Sequence, residues 1–165
     1  MLPENAPSCT IPLSDAAATE ALGRHLAHAL GAGDTLLLSG AIGTGKTHLA
    51  RALITERLLC AGERPEDVPS PTFTLVQSYR AGPLEIWHAD LYRLSGPDEV
   101  QETGLADAFG SNLCIVEWPD RLGPLRPASA LAVELVTDGD GRSASLSGPA
   151  APAICAAFAG DVADA

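Results

Sequence analysis

The sequence predicts a single α/β domain with a mixed β-sheet and helices on both of its faces. Three observations carry this. "DTLLLSG" (Asp34 to Gly40) reads as a short buried strand, and "KTHLARALITERLL" from Lys46 reads as a helix with Leu49, Ala52 and Leu53 on one face. "NLCIVEW" (Asn112 to Trp118) is a second short apolar run of the kind that fills a parallel sheet buried on both sides. Two further pairs of β-prone runs read as hairpins, "TFTLVQSY"/"LEIWHAD" around the turn "AGP", and "SALAVELVT"/"RSASLSG" around "DGDG". Parallel β-α-β logic plus two hairpins gives a mixed sheet.

The junction between the first strand and its helix supplies the chemistry. "GAIGTGKT", Gly40 to Thr47, fits G-x-x-x-x-G-K-[ST] and sits between a strand and a helix, the context that this motif requires. The predicted class is therefore P-loop NTPase-like. Backbone N–H groups of Gly40, Ala41, Ile42, Gly43, Thr44 and Gly45 curl around a phosphate, and the helix N-terminus adds its dipole. Lys46 is the only lysine in the chain, beside nine arginines. A compact ammonium on a flexible stem reaches the β- and γ-phosphates, where a planar guanidinium fits poorly. The Thr47 hydroxyl is placed to ligate Mg²⁺.

The remaining elements follow in order. "TIPL" (Thr10 to Leu13) is a short strand. Ser14 or Asp15 caps a helix to about Leu30 with the stripe Leu22, Leu26 and Leu30, ended by Gly31 and Gly33. The strand-loop-helix unit runs to about Ala61, and "GERPEDVPSP" is an acidic proline-rich loop. "LSGPDEVQETGLADAFG" reads as two short helical pieces broken at Gly104. "RLGPLRP" is a loop, and "APAICAAFAGDVA" a small last helix. The domain is expected to span 1–165, with loosely ordered tails at 1–8 and 160–165.

Composition narrows the function. The chain has 165 residues and a formal charge of −11. It shows no basic run that could form a nucleic-acid groove, so any nucleic acid is expected to be held by a partner. Simple solubility also accounts for the acidity. No run approaches the ~20 apolar residues of a membrane span, and "MLPENAPSCT" lacks the features of a secretory signal. Cys9, Cys60, Cys114 and Cys155 are far apart and are expected to be reduced, mostly buried thiols of a cytoplasmic protein. His25 and His28 lie three apart on a helix with no third ligand evident, which favours a solvated face. Asp138-Gly-Asp140-Gly lacks the twelfth-position glutamate of a calcium loop and reads as a hairpin turn.

A nucleotide site needs a carboxylate at the end of a strand beside the loop strand. Glu117 closes the apolar run "LCIVE", and Asp90 closes the more polar "LEIWHAD". Mg²⁺ usually takes one or two protein carboxylates. Two acids permit a division of labour, one near the metal and one orienting the attacking water; the plain alternative for each is a strand-end acid. His88 is read as finishing a strand. GTPases discriminate guanine with N-K-x-D, which needs a second lysine, so ATP is favoured. Three functional classes stay open: an ATPase, a small-molecule kinase, and a nucleotide-gated interaction module. Arg80, Arg93 and Arg121 are too scattered to form an evident kinase lid. Thr72 in "SPTFT" stands where a sensor loop belongs.

"GAIGTGKT", "SPTFTLVQSY", "HADLYRL" and "IVEWPDRL", in that order and spacing, resemble the TsaE (YjeE) family over roughly Leu13 to Arg142. The resemblance implies an ATPase subunit of the bacterial machinery that makes threonylcarbamoyladenosine in tRNA, working with TsaB and TsaD. It implies that Lys46 and Thr47 bind phosphate and Mg²⁺, and that Glu117 is a metal-side acid. Asp90 would be a second catalytic-site acid and Thr72 part of a switch-like loop. Trp118 would lie near ATP, with Ser14 to Thr19 and Arg142 flanking it. The family commonly has aspartate after the first loop glycine and alanine after the second; here these are Ala41 and Thr44.

Overall fold

The computed structural model describes residues 7–64 and 67–163. It builds seven strands, β1 (Cys9–Leu13), β2 (Thr35–Ser39), β3 (Val76–Ala81), β4 (Leu84–Asp90), β5 (Leu113–Glu117), β6 (Leu131–Asp138) and β7 (Gly141–Ser147). The helices are α1 (Ala16–Ala29), α2 (Lys46–Cys60), α3 (Pro97–Glu102), α4 (Leu105–Ala108) and α5 (Ala151–Ala163). All strands join one sheet in the order β1-β7-β6-β2-β5-β4-β3. The centre, β6-β2-β5-β4, is parallel, and the hairpin partners β3 and β7 run antiparallel.

Strands β2 and β5 carry unbroken apolar runs, Leu36 to Leu38 and Leu113 to Val116, because both faces are covered, and alternation decides which residue faces which layer. Leu36, Leu38 and Ile115 pack with Leu22 and Leu26 of α1 and Leu49, Leu53 and Ile54 of α2. Leu37, Cys114 and Val116 point the other way, into a smaller core with Val100 of α3, Leu105 of α4 and Leu122. Each fully buried Leu, Ile or Val contributes about 1.5–3 kcal/mol.

Helix α1 begins at Asp15, whose carboxylate accepts the Ala18 N–H at 2.9 Å. This N-cap satisfies one of the amides that a helix start leaves without a partner. At Gly23, α1 passes so close to α2 that an added Cβ would lie 2.7 Å from Ala52 Cβ and 2.8 Å from the Leu49 carbonyl. Gly23→Ala should therefore cost about 1–3 kcal/mol, outweighing the usual helical preference for alanine. Thermal unfolding followed by circular dichroism checks this; an unchanged or higher Tm would show that the helices separate freely.

Three sequence expectations change. Cys9 and Cys155 form a disulfide rather than two thiols: β1 and α5 lie side by side with the two Cα atoms 6.3 Å apart, within bridging range. Cys60 is exposed, and only Cys114 is a buried thiol, its pKa pushed up to about 12 by burial. "TFTLVQSY" becomes strand only from Val76. Residues 71–74 form a turn, in which the Leu75 N–H donates to the Pro71 carbonyl at 2.8 Å and Leu75 takes a left-handed φ of 68°. "RLGPLRP" overlaps a 3-10 segment, Pro119–Leu125, broken at Gly123. Of the expected tails, residues 1–6 and 164–165 lie outside the described residues, and 160–163 belong to α5; residues 65–66 of the acidic loop also lie outside. Among the described residues no helix is long and apolar enough to cross a membrane.

Candidate functional site

Strands β4, β5 and β2 end together, and Asp90 and Glu117 are direct cross-strand partners at those ends. The chain leaves β2 through Gly40, where an added Cβ would stand 2.3 Å from the Leu135 carbonyl; only glycine fits. The loop is held by the Thr44 side chain, whose hydroxyl donates to the Ala41 carbonyl at 2.8 Å. Gly45, left-handed at φ 103°, then starts α2. The first turn of a helix presents N–H groups and a positive dipole end, which together suit an anion.

Lys46 is buried. Its Nζ donates to the Gly40 carbonyl at 2.6 Å and the Ala41 carbonyl at 3.1 Å, and lies 4.3 Å from the centre of the Trp118 ring. Burial holds its pKa below the usual lysine value, while the carboxylates of Glu117 and Asp90 pull it upward. The Thr47 hydroxyl donates to Glu117 Oε1 at 2.9 Å. Asp90 accepts twice, from the Tyr92 N–H at 2.9 Å and from the Thr72 hydroxyl at 3.2 Å. Ser70 Oγ lies 2.7 Å from Thr72 Oγ1, tying the turn of residues 71–74 to the acid.

These groups line one cavity of about 440 Å³. It gathers Ile42, Gly43, Gly45, Lys46, Thr47, Thr72, Asp90, Glu117 and Trp118 from four separate segments. A second cavity of about 200 Å³ lies across the loop, between Thr44, the start of α1 with Thr19, and Arg142 of β7. There the Arg142 guanidinium donates to the Gly43 carbonyl at 3.2 Å. Leu13 and Arg142 are paired in the β1–β7 register, so the hairpin carries the arginine to the beginning of α1. Ala41 and Ile42 are exposed, so any contribution of theirs to a phosphate comes from backbone rather than side chain.

Four residues were missed or read as merely structural. His88 is fully buried, with Nε2 2.7 Å from Glu117 Oε2. Tyr92 packs its ring 4.9 Å from that of Trp118, Ser70 joins Thr72, and His48 lines both cavities. His88 and Tyr92 both lie within "HADLYRL", so that motif contained the signal. His25 and His28 face different carboxylates, Asp161 at 3.0 Å and Glu56 at 3.1 Å. The exposed Cys60 thiol stands within 4.8 Å of the His28 and Glu56 donor atoms, a third neighbour hidden by its distance in sequence. The Asp138-Gly-Asp140-Gly run is the β6–β7 turn, with Asp138 paired to Gly141.

The family model described as "Threonylcarbamoyl adenosine biosynthesis protein TsaE" matches residues 13–144. A Rickettsia conorii protein named tRNA threonylcarbamoyladenosine biosynthesis protein TsaE is 38% identical over 117 residues, covering 71% of this chain and 65% of its own length. Its namesake from Rickettsia felis is 37% identical over 129 residues, covering 78% and 73%. The chain thus spans just under two thirds of the first of these relatives. The crystal structure of Bacillus subtilis YdiB superposes with a TM-score of 0.69 over 92% of this chain and 93% of that one; at 23% identity it speaks for the fold. The matched span contains the phosphate loop, Asp90 and Glu117, and with a model covering well over half of its residues the chain belongs to the TsaE family.

Proposed function

We propose that this protein is a Mg²⁺-dependent ATPase subunit that acts with TsaB and TsaD in forming threonylcarbamoyladenosine in tRNA, meeting the tRNA through those partners. The observation that carries the reading is the convergence of Lys46, Thr47, Glu117 and Asp90 on one cavity at the strand ends. The names of the relatives support the pathway.

The donor set fits Mg²⁺. Thr47 Oγ1 and Glu117 Oε1 are hard oxygens 2.9 Å apart at the loop, and no thiol or free imidazole nitrogen competes for that point among the described residues lining the cavity apart from His48. Thr47 and Glu117 would hold the ion, which would supply charge neutralisation for phosphoryl transfer. Lys46 supplies a cation beside the same phosphates. Asp90 orients the attacking water from the adjacent strand end, where Tyr92 and Thr72 fix its carboxylate. The loop bearing Thr72 is the sensor. The −11 charge argues against direct grip on a polyanion.

A kinase would need arginines free to close over an acceptor. Arg80 is instead 3.4 Å from Glu85, Arg121 is 2.5 Å from Asp120, and Arg93 stacks 4.2 Å from the Phe73 ring. Titration with ATP and GTP, with Mg²⁺ and with EDTA, is the first test; ATP should bind in a Mg²⁺-dependent way and GTP no more tightly. Hydrolysis should be slow alone. Leaving the chain out of a reconstitution with TsaB, TsaD and tRNA should stop repeated modification. Unchanged repeated modification, or efficient phosphorylation of a small metabolite by the isolated chain, would overturn the subunit reading.

A further inference from the structure

We infer that His88 is a positioning residue for the metal-side acid: its Nε2–H fixes the Glu117 carboxylate so that the other oxygen, with the Thr47 hydroxyl, faces the divalent cation. The inference rests on the Mg²⁺–ATP reading proposed above.

Glu117 is 2% exposed, and a carboxylate so placed needs every available donor. It has two, one per oxygen. Thr47 Oγ1–H reaches Oε1 at 2.9 Å and His88 Nε2 reaches Oε2 at 2.7 Å. His88 comes from the neighbouring strand. Its register partner on β5 is Ile115, so Glu117 stands two residues further along β5, the diagonal neighbour on the same face of the sheet.

The proton can be placed from partners alone. A carboxylate oxygen only accepts, so Nε2 carries the hydrogen. His88 Nδ1 is buried and has no hydrogen-bond partner among the described residues, so a hydrogen there would be a buried, unpaired donor. The Nε2–H tautomer is the one that leaves no donor unmet. The ring cannot turn over to exchange its nitrogens without losing the Glu117 bond.

The consequence is orientation. With Oε2 pinned from β4, rotation about the carboxylate bond is fixed and Oε1 stays on the side of Thr47. Partners behind a metal ligand typically change metal affinity by about 10–100-fold when removed. Histidine variants that place a donor at different ring positions separate this role from simple packing. Glutamine puts an amide N–H near the Nε2 position, whereas asparagine puts it near Nδ1, too short to reach Glu117. Both are polar and smaller than histidine, so both meet similar burial costs.

The experiment measures ATP affinity across a Mg²⁺ titration, and again in EDTA, for the parent, H88N and H88Q, with thermal unfolding recorded for each. H88N should need roughly 10-fold more Mg²⁺ for half-maximal enhancement of binding. Its affinity in EDTA should match the parent, and H88Q should stay near the parent throughout. In the parent, ¹⁵N-labelled histidine should show one imidazole, assigned by its absence from H88Q, as a pure Nε2–H tautomer; this reading needs no H88N protein. A mixed or Nδ1–H tautomer would overturn the inference. So would an H88N curve that overlays the parent, an H88Q curve as poor as H88N, or equal losses in Mg²⁺ and EDTA, which would indicate packing alone. A parent protein that binds no ATP in Mg²⁺ defeats the nucleotide reading itself, and that is seen before any variant is compared.

Discussion

Lys46→Met is expected to give a folded protein that no longer retains ATP. The methionine keeps an apolar side chain beside Trp118, whose ring centre lies 4.3 Å from the Lys46 ammonium, and removes the charge together with its hydrogen bonds to the Gly40 and Ala41 carbonyls. A hydrogen bond to a charged group is worth about 1.5–3 kcal/mol, so the loss in affinity should approach 100-fold. The apo protein should behave differently. Burial lowers the Lys46 pKa below 10.5, although Glu117 and Asp90 oppose the shift. Below the folded pKa the lysine is charged in both folded and unfolded chains, and the folded chain carries the full desolvation penalty. Above the folded pKa and up to 10.5, the unfolded chain binds more protons, so stability rises with pH through that window. The variant loses the two carbonyl hydrogen bonds but also the desolvation penalty, so the two effects should partly cancel at pH 7, and its Tm relative to the parent should fall as the pH rises towards 10.5. Calorimetry of both proteins at several pH values, beside ATP titration, tests the two halves separately. Retained ATP affinity would remove Lys46 from the site; a large drop in Tm at pH 7 would make it a structural residue.

The legible part of this site is the part written in contiguous sequence. Gly40 to Thr47 sits between a strand and a helix, and the task expected of each residue follows from backbone geometry or side-chain length. Glu117 and Asp90 were legible because each closes a strand, and parallel strands put their ends at one edge of the sheet. What stayed hidden depends on alignments between strands or on distant packing. His88 acts on Glu117 across a diagonal of the β4–β5 register, and nothing in "LEIWHAD" states that register. Cys9 and Cys155 are separated by 146 residues and meet because β1 takes the far edge of the sheet beside α5. The turn at residues 71–74 mimics a strand because Thr-Phe-Thr-Leu alternates. Its backbone instead winds so that the Asp90 N–H donates to the Leu75 carbonyl at 2.9 Å, which brings Thr72 to the acid. An alternating pattern reports one apolar face; it does not report where the chain turns.

Glu117→Gln should abolish most ATP hydrolysis while leaving much of the nucleotide binding intact. Glutamine keeps the shape, so its carbonyl oxygen can still accept the His88 N–H and its amide can meet the Thr47 hydroxyl. The negative charge and the ligand oxygen on the metal side are lost. A divalent ion contributes several kcal/mol to charge stabilisation during phosphoryl transfer, so a poorly held ion should lower turnover by about 100-fold or more. The triphosphate should remain on the loop amides and Lys46. Asp90→Asn is the informative contrast. Its carbonyl oxygen still accepts the Tyr92 N–H, and the variant lacks the charge that would draw a proton from water. Hydrolysis should fall in this variant too, yet the Mg²⁺ concentration for half-maximal binding should stay at the parental value, whereas in Glu117→Gln it should rise. Single-turnover hydrolysis across a Mg²⁺ series, measured in the assembled complex with TsaB and TsaD, separates the two. Equal Mg²⁺ shifts in both variants would mean that the acids share the metal. A parental rate in Glu117→Gln would take that residue out of the reaction, and a parental rate in Asp90→Asn would leave its carboxylate with no task beyond holding Thr72 and the Tyr92 amide.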